Sequence, residues 1–304
     1  MVSPSRRAFL MGRRPPQTAW QAFCSRLAGR IQGVFLELDD QAGHEQARLV
    51  PDSSADVHMA LNLSAEYGVT LALDGVAQAS EPQGPVLWLV PGRQMARCER
   101  LEPGSALWFV QPGCLLGELE AQGFTGLAHL PAGMTVGAWL ADRRLHAWPA
   151  GRTALSGVQH CSVLLADNTQ AALGPFGESN RNPLDSLRLQ QLIPSLFRIM
   201  SGSDAQALLH TGQAGDEWPG RYRLDALQPA AGEAINLAHL LLGHGGDLAW
   251  VEWIVLDEKM QGGADPDPWS WPGGEPSWQA QDVDSQIKAL FDPTDRFPYP
   301  GQAL

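Results

Sequence analysis

Lysine is almost missing from this chain. Of 21 basic residues only Lys259 and Lys288 are lysine, and the formal charge is −12 with a pI near 5.0. A surface that grips nucleic acid needs clustered positive charge, so that class of partner is excluded. Cysteine is sparse as well. Cys24, Cys98, Cys114 and Cys161 stand far apart with no C-x-x-C pair, which argues against a disulfide framework or zinc site and for free thiols in a reducing compartment. No run approaches the ~18 consecutive apolar residues of a membrane-spanning helix. Ser5-Arg6-Arg7-Ala8-Phe9-Leu10 looks like a twin-arginine export signal, but Met11-Gly12-Arg13-Arg14-Pro15-Pro16 follows where an apolar region should be. The expectation is a cytoplasmic protein with a basic N-terminal arm, export being the alternative. No G-x-S-x-G context surrounds Ser156 or Ser162, so a hydrolase triad has no support. His239 and His244 are five apart without a third ligand, so no metal is expected.

What is present fits a folded enzyme-sized unit. With 304 residues and 44% hydrophobic content, the chain can bury a sizeable core. Trp20, Phe23, Leu27 and Ile31 follow helical spacing, and residues 1–44 read as an arm and helix. Residues 45–51 read as a strand ending at Pro51, followed by a helix capped by Asp52 or Ser54. Strands at Val69 to Leu73 and Val86 to Val90 complete a parallel unit. From about residue 99 the pattern predicts a mixed sheet, with strands at Ala106 to Val110 and Ser162 to Ala166 and short helices at Leu115 to Gln122 and Val136 to Asp142. Further helices are expected at Leu187 to Ile199, 231–242 and about 280–290, and strands at Tyr222 to Leu224 and Leu248 to Leu256. Residues 261–278 read as an irregular Pro/Gly/Trp loop. Five tryptophans (Trp250, Trp253, Trp269, Trp271 and Trp278) crowd this end, and are read either as core or as an interface.

Several short segments occur in a telling order. Leu49-Val50-Pro51 leads to Ser54-Ala55-Asp56-Val57 and then to Tyr67-Gly68-Val69-Thr70-Leu71-Ala72-Leu73-Asp74-Gly75. Pro112-Gly113, Leu130-Pro131-Ala132-Gly133-Met134-Thr135-Val136-Gly137, Leu164-Leu165-Ala166-Asp167-Asn168 and Phe291-Asp292-Pro293 follow. This order resembles the FAD-binding domain of the vanillyl-alcohol oxidase and p-cresol methylhydroxylase family, most of all the FAD-binding subunits of the glycolate oxidase type and related D-2-hydroxy-acid dehydrogenases. The resemblance implies an α+β, two-lobed FAD-binding fold with lobes at about 45–98 and 99–200, and a reduced cap region with a C-terminal tail over 201–304.

It also implies a site. FAD would be held non-covalently by the loop Gly75, Val76, Ala77, Gln78 and Ala79, by the turn Gly133, Thr135, Val136 and Gly137, and by Val163 at the head of the third stretch. A dinucleotide pyrophosphate is held by bare backbone N–H groups in a tight loop, which requires small residues. Here the loop reads Asp74-Gly75-Val76-Ala77-Gln78-Ala79-Ser80, so two of the family's glycines are Val and Ala and its basic position is an acid. Asp74 would repel a phosphate by about 1 kcal/mol or more at ~4 Å. The resemblance therefore implies one of two functions. The first is an FAD-binding oxidoreductase subunit that oxidises or helps to oxidise a small 2-hydroxy acid beside a larger catalytic flavoprotein. The second is a non-catalytic assembly subunit that no longer binds FAD. No catalytic residue is assigned.

Overall fold

The computed structural model describes residues 18–38, 44–76, 84–177, 186–212, 218–261 and 277–299. Two sheets and their helices make an α+β architecture of two lobes, as the sequence implies. In the first lobe, helix α1 (Ala19–Ala28) turns Trp20, Phe23, Cys24 and Leu27 inward. Thr18 and Gln21 close a capping box at its start. Strands β1 (Val34–Leu38), β2 (Gln46–Val50), β3 (Thr70–Leu73) and β4 (Val86–Leu89) form a sheet in the order β1-β2-β4-β3. The β2–β4–β3 core is parallel, with helix α2 (Ser54–Tyr67) crossing from β2 to β3. Neither Asp52 nor Ser54 caps α2. Ser53 occupies that position, and the buried Asp56 instead accepts from the N–H groups of Gln32, Gly33 and Asp52 at 2.8–2.9 Å.

The second lobe carries β5 (Cys98–Arg100), β6 (Leu107–Val110), β7 (Val158–Leu164), β8 (Gln170–Leu173) and β9 (Trp250–Asp257) in the order β5-β6-β9-β7-β8. Every pairing in it is antiparallel, which corrects the expected mixed sheet. The eight-residue β9 is the middle strand, so the segment after residue 200 supplies the centre of this lobe. Its Glu252 is buried and accepts from Ser162 Oγ at 2.9 Å and Gln170 Nε2 at 2.6 Å. Helices α3 (Leu116–Ala121) and α4 (Val136–Ala141) flank the sheet, while α5 (Leu187–Met200), α6 (Ser203–Gly212) and α7 (Trp278–Phe291) pack on one another.

Three elements differ from expectation. Tyr222 to Leu224 is not a strand: Arg223 turns inward to reach the carbonyls of His146 and Trp148 at 2.9 and 3.0 Å, and a short 3-10 turn, Leu224–Leu227, follows. The 231–242 helix shrinks to a 3-10 turn at Leu237–Leu241. Phe176 N–H bonds Ile235 O at 2.9 Å and Leu237 N–H bonds Gly174 O at 2.9 Å, so tertiary pairing takes the groups a helix would have used. The strand expected at Ser162 to Ala166 begins earlier and is bulged against β9. The loop at 261–278 falls almost wholly outside the described residues.

Candidate functional site

The crevice between the lobes is where the sequence resemblance would put a dinucleotide. Leu71 and Leu73 of β3 and Leu89 of β4 form one wall; Pro112, Gly137, Ala249 and Trp250 form the other. The space left is about 10 Å³, the room of one water molecule. Residues 243–249 fill the rest. Gly243 N–H bonds Leu140 O at 2.8 Å and Gly245 N–H bonds Ala141 O at 2.9 Å, so the segment is sewn to the end of α4. Gly246 turns with φ +80° directly onto Leu73.

The segment is also clamped from behind. Asp247 Oδ2 accepts from Arg221 Nε at 2.7 Å and from Tyr222 O–H at 3.4 Å. Lys288, fully buried on α7, donates to Asp247 O at 2.7 Å, Asp292 Oδ2 at 2.6 Å and Phe297 O at 3.1 Å. Burial pushes the Asp247 carboxyl up, and the Arg221 guanidinium and Lys288 ammonium oppose that shift. Asp284, on the same helix, takes the N–H groups of Arg221 and Tyr222; burial raises its carboxyl to about 6. His244 lies within the plug, and neither of its ring nitrogens has a hydrogen-bond partner among the described residues. Burial first, then the charge of Arg221, pushes its imidazole down to about 3.

The residues expected to contact FAD are placed as follows. Gly75 follows β3 in a left-handed turn at φ +82°, and Val76 beside it is half-buried. Ala77, Gln78 and Ala79 lie outside the described residues. Asp74 faces Arg48 at 3.4 Å and donates its N–H to Leu89 O. Gly133 is exposed at a turn. Thr135 caps α4 through Oγ1 on Ala138 N–H at 3.1 Å. Val136 is core, and Gly137 reaches the crevice wall. Val163 is fully buried in the β7 face of the second core, among side chains and not on the crevice. Of the seven that are described, only Gly137 lines the crevice. The sequence reading missed 243–249; the three glycines and aspartate within Gly243-His244-Gly245-Gly246-Asp247 read as any turn would.

Two amides at the end of the 133–137 turn are already committed. Val136 N–H bonds Cys114 O at 2.8 Å and Gly137 N–H bonds Pro112 O at 2.9 Å. The facing turn does the same in return: Leu116 N–H bonds Met134 O at 2.9 Å and Gly117 N–H bonds Ala132 O at 3.0 Å. The helix starts that could cradle a phosphate hold each other instead. Ligand sites of drug-like size enclose roughly 300–1,000 Å³. With the Val136 and Gly137 amides bonded, an acid in the loop and a crevice with room for one water, the described residues do not fit a flavin dinucleotide.

The remaining candidates are accounted for structurally. His239 Nε2 bonds Val158 O at 2.7 Å and its Nδ1 pairs with Thr153 Oγ1 at 2.9 Å, a core histidine pushed down to about 4 by burial. Among the described residues no group of three His, Cys, Asp or Glu side chains is arranged to hold a metal ion, and no helix is long and apolar enough to cross a membrane. Of the five clustered tryptophans, Trp250 is buried, Trp253 packs on Phe109 with ring centroids 5.8 Å apart, Trp278 is 67% exposed, and Trp269 and Trp271 lie outside the described residues.

No family model matches this chain, and neither does any curated protein. Solved structures similar to it include alkyldihydroxyacetonephosphate synthase, 16% identical with a TM-score of 0.44 over 80% of this chain and 40% of that one. Another is the 4-ethylphenol oxidase from Gulosibacter chungangensis in complex with isoeugenol, 14% identical with a TM-score of 0.44 over 79% of this chain and 42% of that one. The chain thus spans about two fifths of the length of those structures.

Proposed function

We propose that this chain is a non-catalytic subunit on a two-lobed scaffold of the vanillyl-alcohol oxidase type, holding its own 243–249 segment where that family holds FAD. The observation that carries the reading is the seating of Gly246 on Leu73, with the neighbouring amides bonded to the end of α4. A segment fixed at both ends by Arg221, Lys288 and the α4 carbonyls is part of the fold's core. The glycolate oxidase-like resemblance supplies the partner class: a larger catalytic flavoprotein, to which this subunit lends a surface and no chemistry.

The oxidoreductase reading keeps one supporting observation, the position of Gly137 on the crevice wall. In that reading the chain binds FAD non-covalently and takes part in oxidising a small 2-hydroxy acid. It requires residues 243–249 to vacate the crevice.

Purification of the full chain followed by a visible absorption spectrum and thermal melts with and without added FAD separates the two. The expected outcome is no flavin band and an unchanged melting temperature. Flavin at one equivalent per chain, or a melting temperature that climbs with FAD concentration, would sink the non-catalytic reading.

A further inference from the structure

The four cysteines fall into two kinds. Cys24 and Cys161 sit alone in the two cores, and burial pushes the Cys24 thiol up to about 12 and the Cys161 thiol higher still. Cys98 and Cys114 are neighbours. The β5–β6 register places Cys98 opposite Val110. Beyond that pair, Gln111 N–H bonds Arg97 O at 2.8 Å and Gly113 N–H bonds Met95 O at 2.7 Å, which folds the 111–114 turn back across 95–98. Cys98 consequently packs against the core cluster that contains Cys114.

Their surroundings differ in the way a reacting pair requires. Cys98 is half-buried on the wall of an open recess of about 450 Å³, with Arg93, Glu118 and Gln122 around it. Gln122 Nε2 donates to Cys98 Sγ at 3.0 Å, which holds the sulfur at the recess wall. Cys114 is fully buried behind it; burial first, and the adjoining Cys98 thiol second, hold Cys114 protonated. One sulfur is reachable from the recess, and the other is enclosed in the core against which the first packs.

We propose that Cys98 and Cys114 are a redox couple, a modification site at which the chain exchanges electrons with small disulfides of the glutathione class. The Cys98 thiolate attacks one sulfur of the small disulfide; its S–S bond breaks, one small thiolate leaves, and a mixed disulfide forms on Cys98. Cys114 then attacks Cys98 Sγ, its proton passing to the second departing thiolate. Two protein thiols and one small disulfide become one protein disulfide and two small thiols, so electrons and protons balance. The bridge fastens the edge strand β5 to the turn that meets Pro131 to Gly137. This inference stands apart from the flavin question, since neither thiol lines the crevice.

The test incubates the full native chain with glutathione disulfide, then alkylates the remaining thiols and maps them by intact mass and peptide digestion. The expected result is loss of two of the four thiols, a mass lower by two hydrogens and a cross-linked peptide joining Cys98 to Cys114. Cys98→Ser is expected to abolish reaction with its circular dichroism unchanged, and Cys114→Ser to stop at a glutathione adduct on Cys98. A wild-type chain that stays fully reduced, that accumulates the Cys98 adduct without the internal bridge, or that cross-links through Cys24 or Cys161 would overturn the proposal.

Discussion

Gly246 rests on Leu73 so closely that a β-carbon added to the glycine would stand 2.7 Å from the leucine Cβ. The contact joins the two lobes at the crevice, and it imposes two demands on one residue. The backbone is left-handed there (φ +80°), which costs a non-glycine residue about 1–2 kcal/mol, and overlap in a packed interior costs about 1–3 kcal/mol more. Gly246→Ala is therefore expected to lower the unfolding free energy by about 2–5 kcal/mol in urea titrations. An unshifted midpoint would show that the segment is not seated against β3.

Acid should destabilise the protein well before ordinary carboxylates titrate. His146, His239 and His244 are buried, and burial pushes them down to about 4, about 4 and about 3 from the usual 6.5. A histidine with a depressed folded-state value contributes stability that is fully present above pH 6.5 and is lost as pH falls toward 4, on the order of 3 kcal/mol for each. Asp284 works the other way. Raised to about 6 from 3.8, it favours folding below pH 4 and loses that contribution as pH rises through 6. Asp247, whose carboxyl burial also pushes up, acts in the same sense as Asp284; the three histidines outweigh the two carboxylates, so stability should drop between pH 6.5 and 4. His244→Leu should flatten that slope and add about 1 kcal/mol at pH 7, because it removes a buried ring with no bonded nitrogen. Urea titrations at pH 7 and pH 5 check both; identical pH slopes for variant and wild type would refute the assignment.

Lys288 is one of only two lysines, and it is fully buried. Its Nζ pairs with Asp292 one helical turn on and ties the 243–249 plug and Phe297 to α7. Removing one partner of a buried pair strands the other charge, at a cost of about 3–5 kcal/mol. Asp292 keeps the N–H groups of Arg296 and Phe297 at 2.9 and 2.8 Å, so Lys288→Met should fall at the lower end of that range. A chemical-denaturation loss below 1 kcal/mol would contradict the role given to Lys288.

Periodicity exposed most of the helices, because packing agreed with local pattern. Trp20, Phe23 and Leu27 lie on the inner face of α1, and Leu189, Leu192, Ile193 and Leu196 on that of α5, despite Pro194 inside the helix. Short edge strands were not legible. Cys98 to Arg100 and Gln170 to Leu173 carry too few residues for an alternation to register, and Val34 to Leu38 is a strand only because β2 lies beside it. The site was harder still. Ile235 to Leu242 has helical spacing, yet long-range bonds to Gly174 and Phe176 override it. The plug at 243–249 is recognised only by what it touches, since a glycine-rich turn has the same sequence whether it faces solvent or another lobe.

Gly133 and Gly137, four residues apart in one turn and both counted among the family's flavin-contact positions, should respond oppositely to a methyl group. A β-carbon on Gly133 meets nothing within 4 Å, and the residue is exposed, so Gly133→Ala should change stability by no more than about 0.5 kcal/mol. A β-carbon on Gly137 would stand 3.0 Å from Pro112 Cβ and 3.2 Å from Pro112 O, and that oxygen accepts the Gly137 N–H at 2.9 Å. Pushing the two turns apart also strains the return bonds from Leu116 and Gly117 to Met134 and Ala132. Gly137→Ala is accordingly expected to cost about 1–3 kcal/mol. Because that clash is internal to the fold, the loss should appear in full with no flavin added. A Gly137→Ala protein as stable as wild type without FAD, and weaker only in its presence, would return this glycine to a cofactor role and reopen the crevice as a binding site.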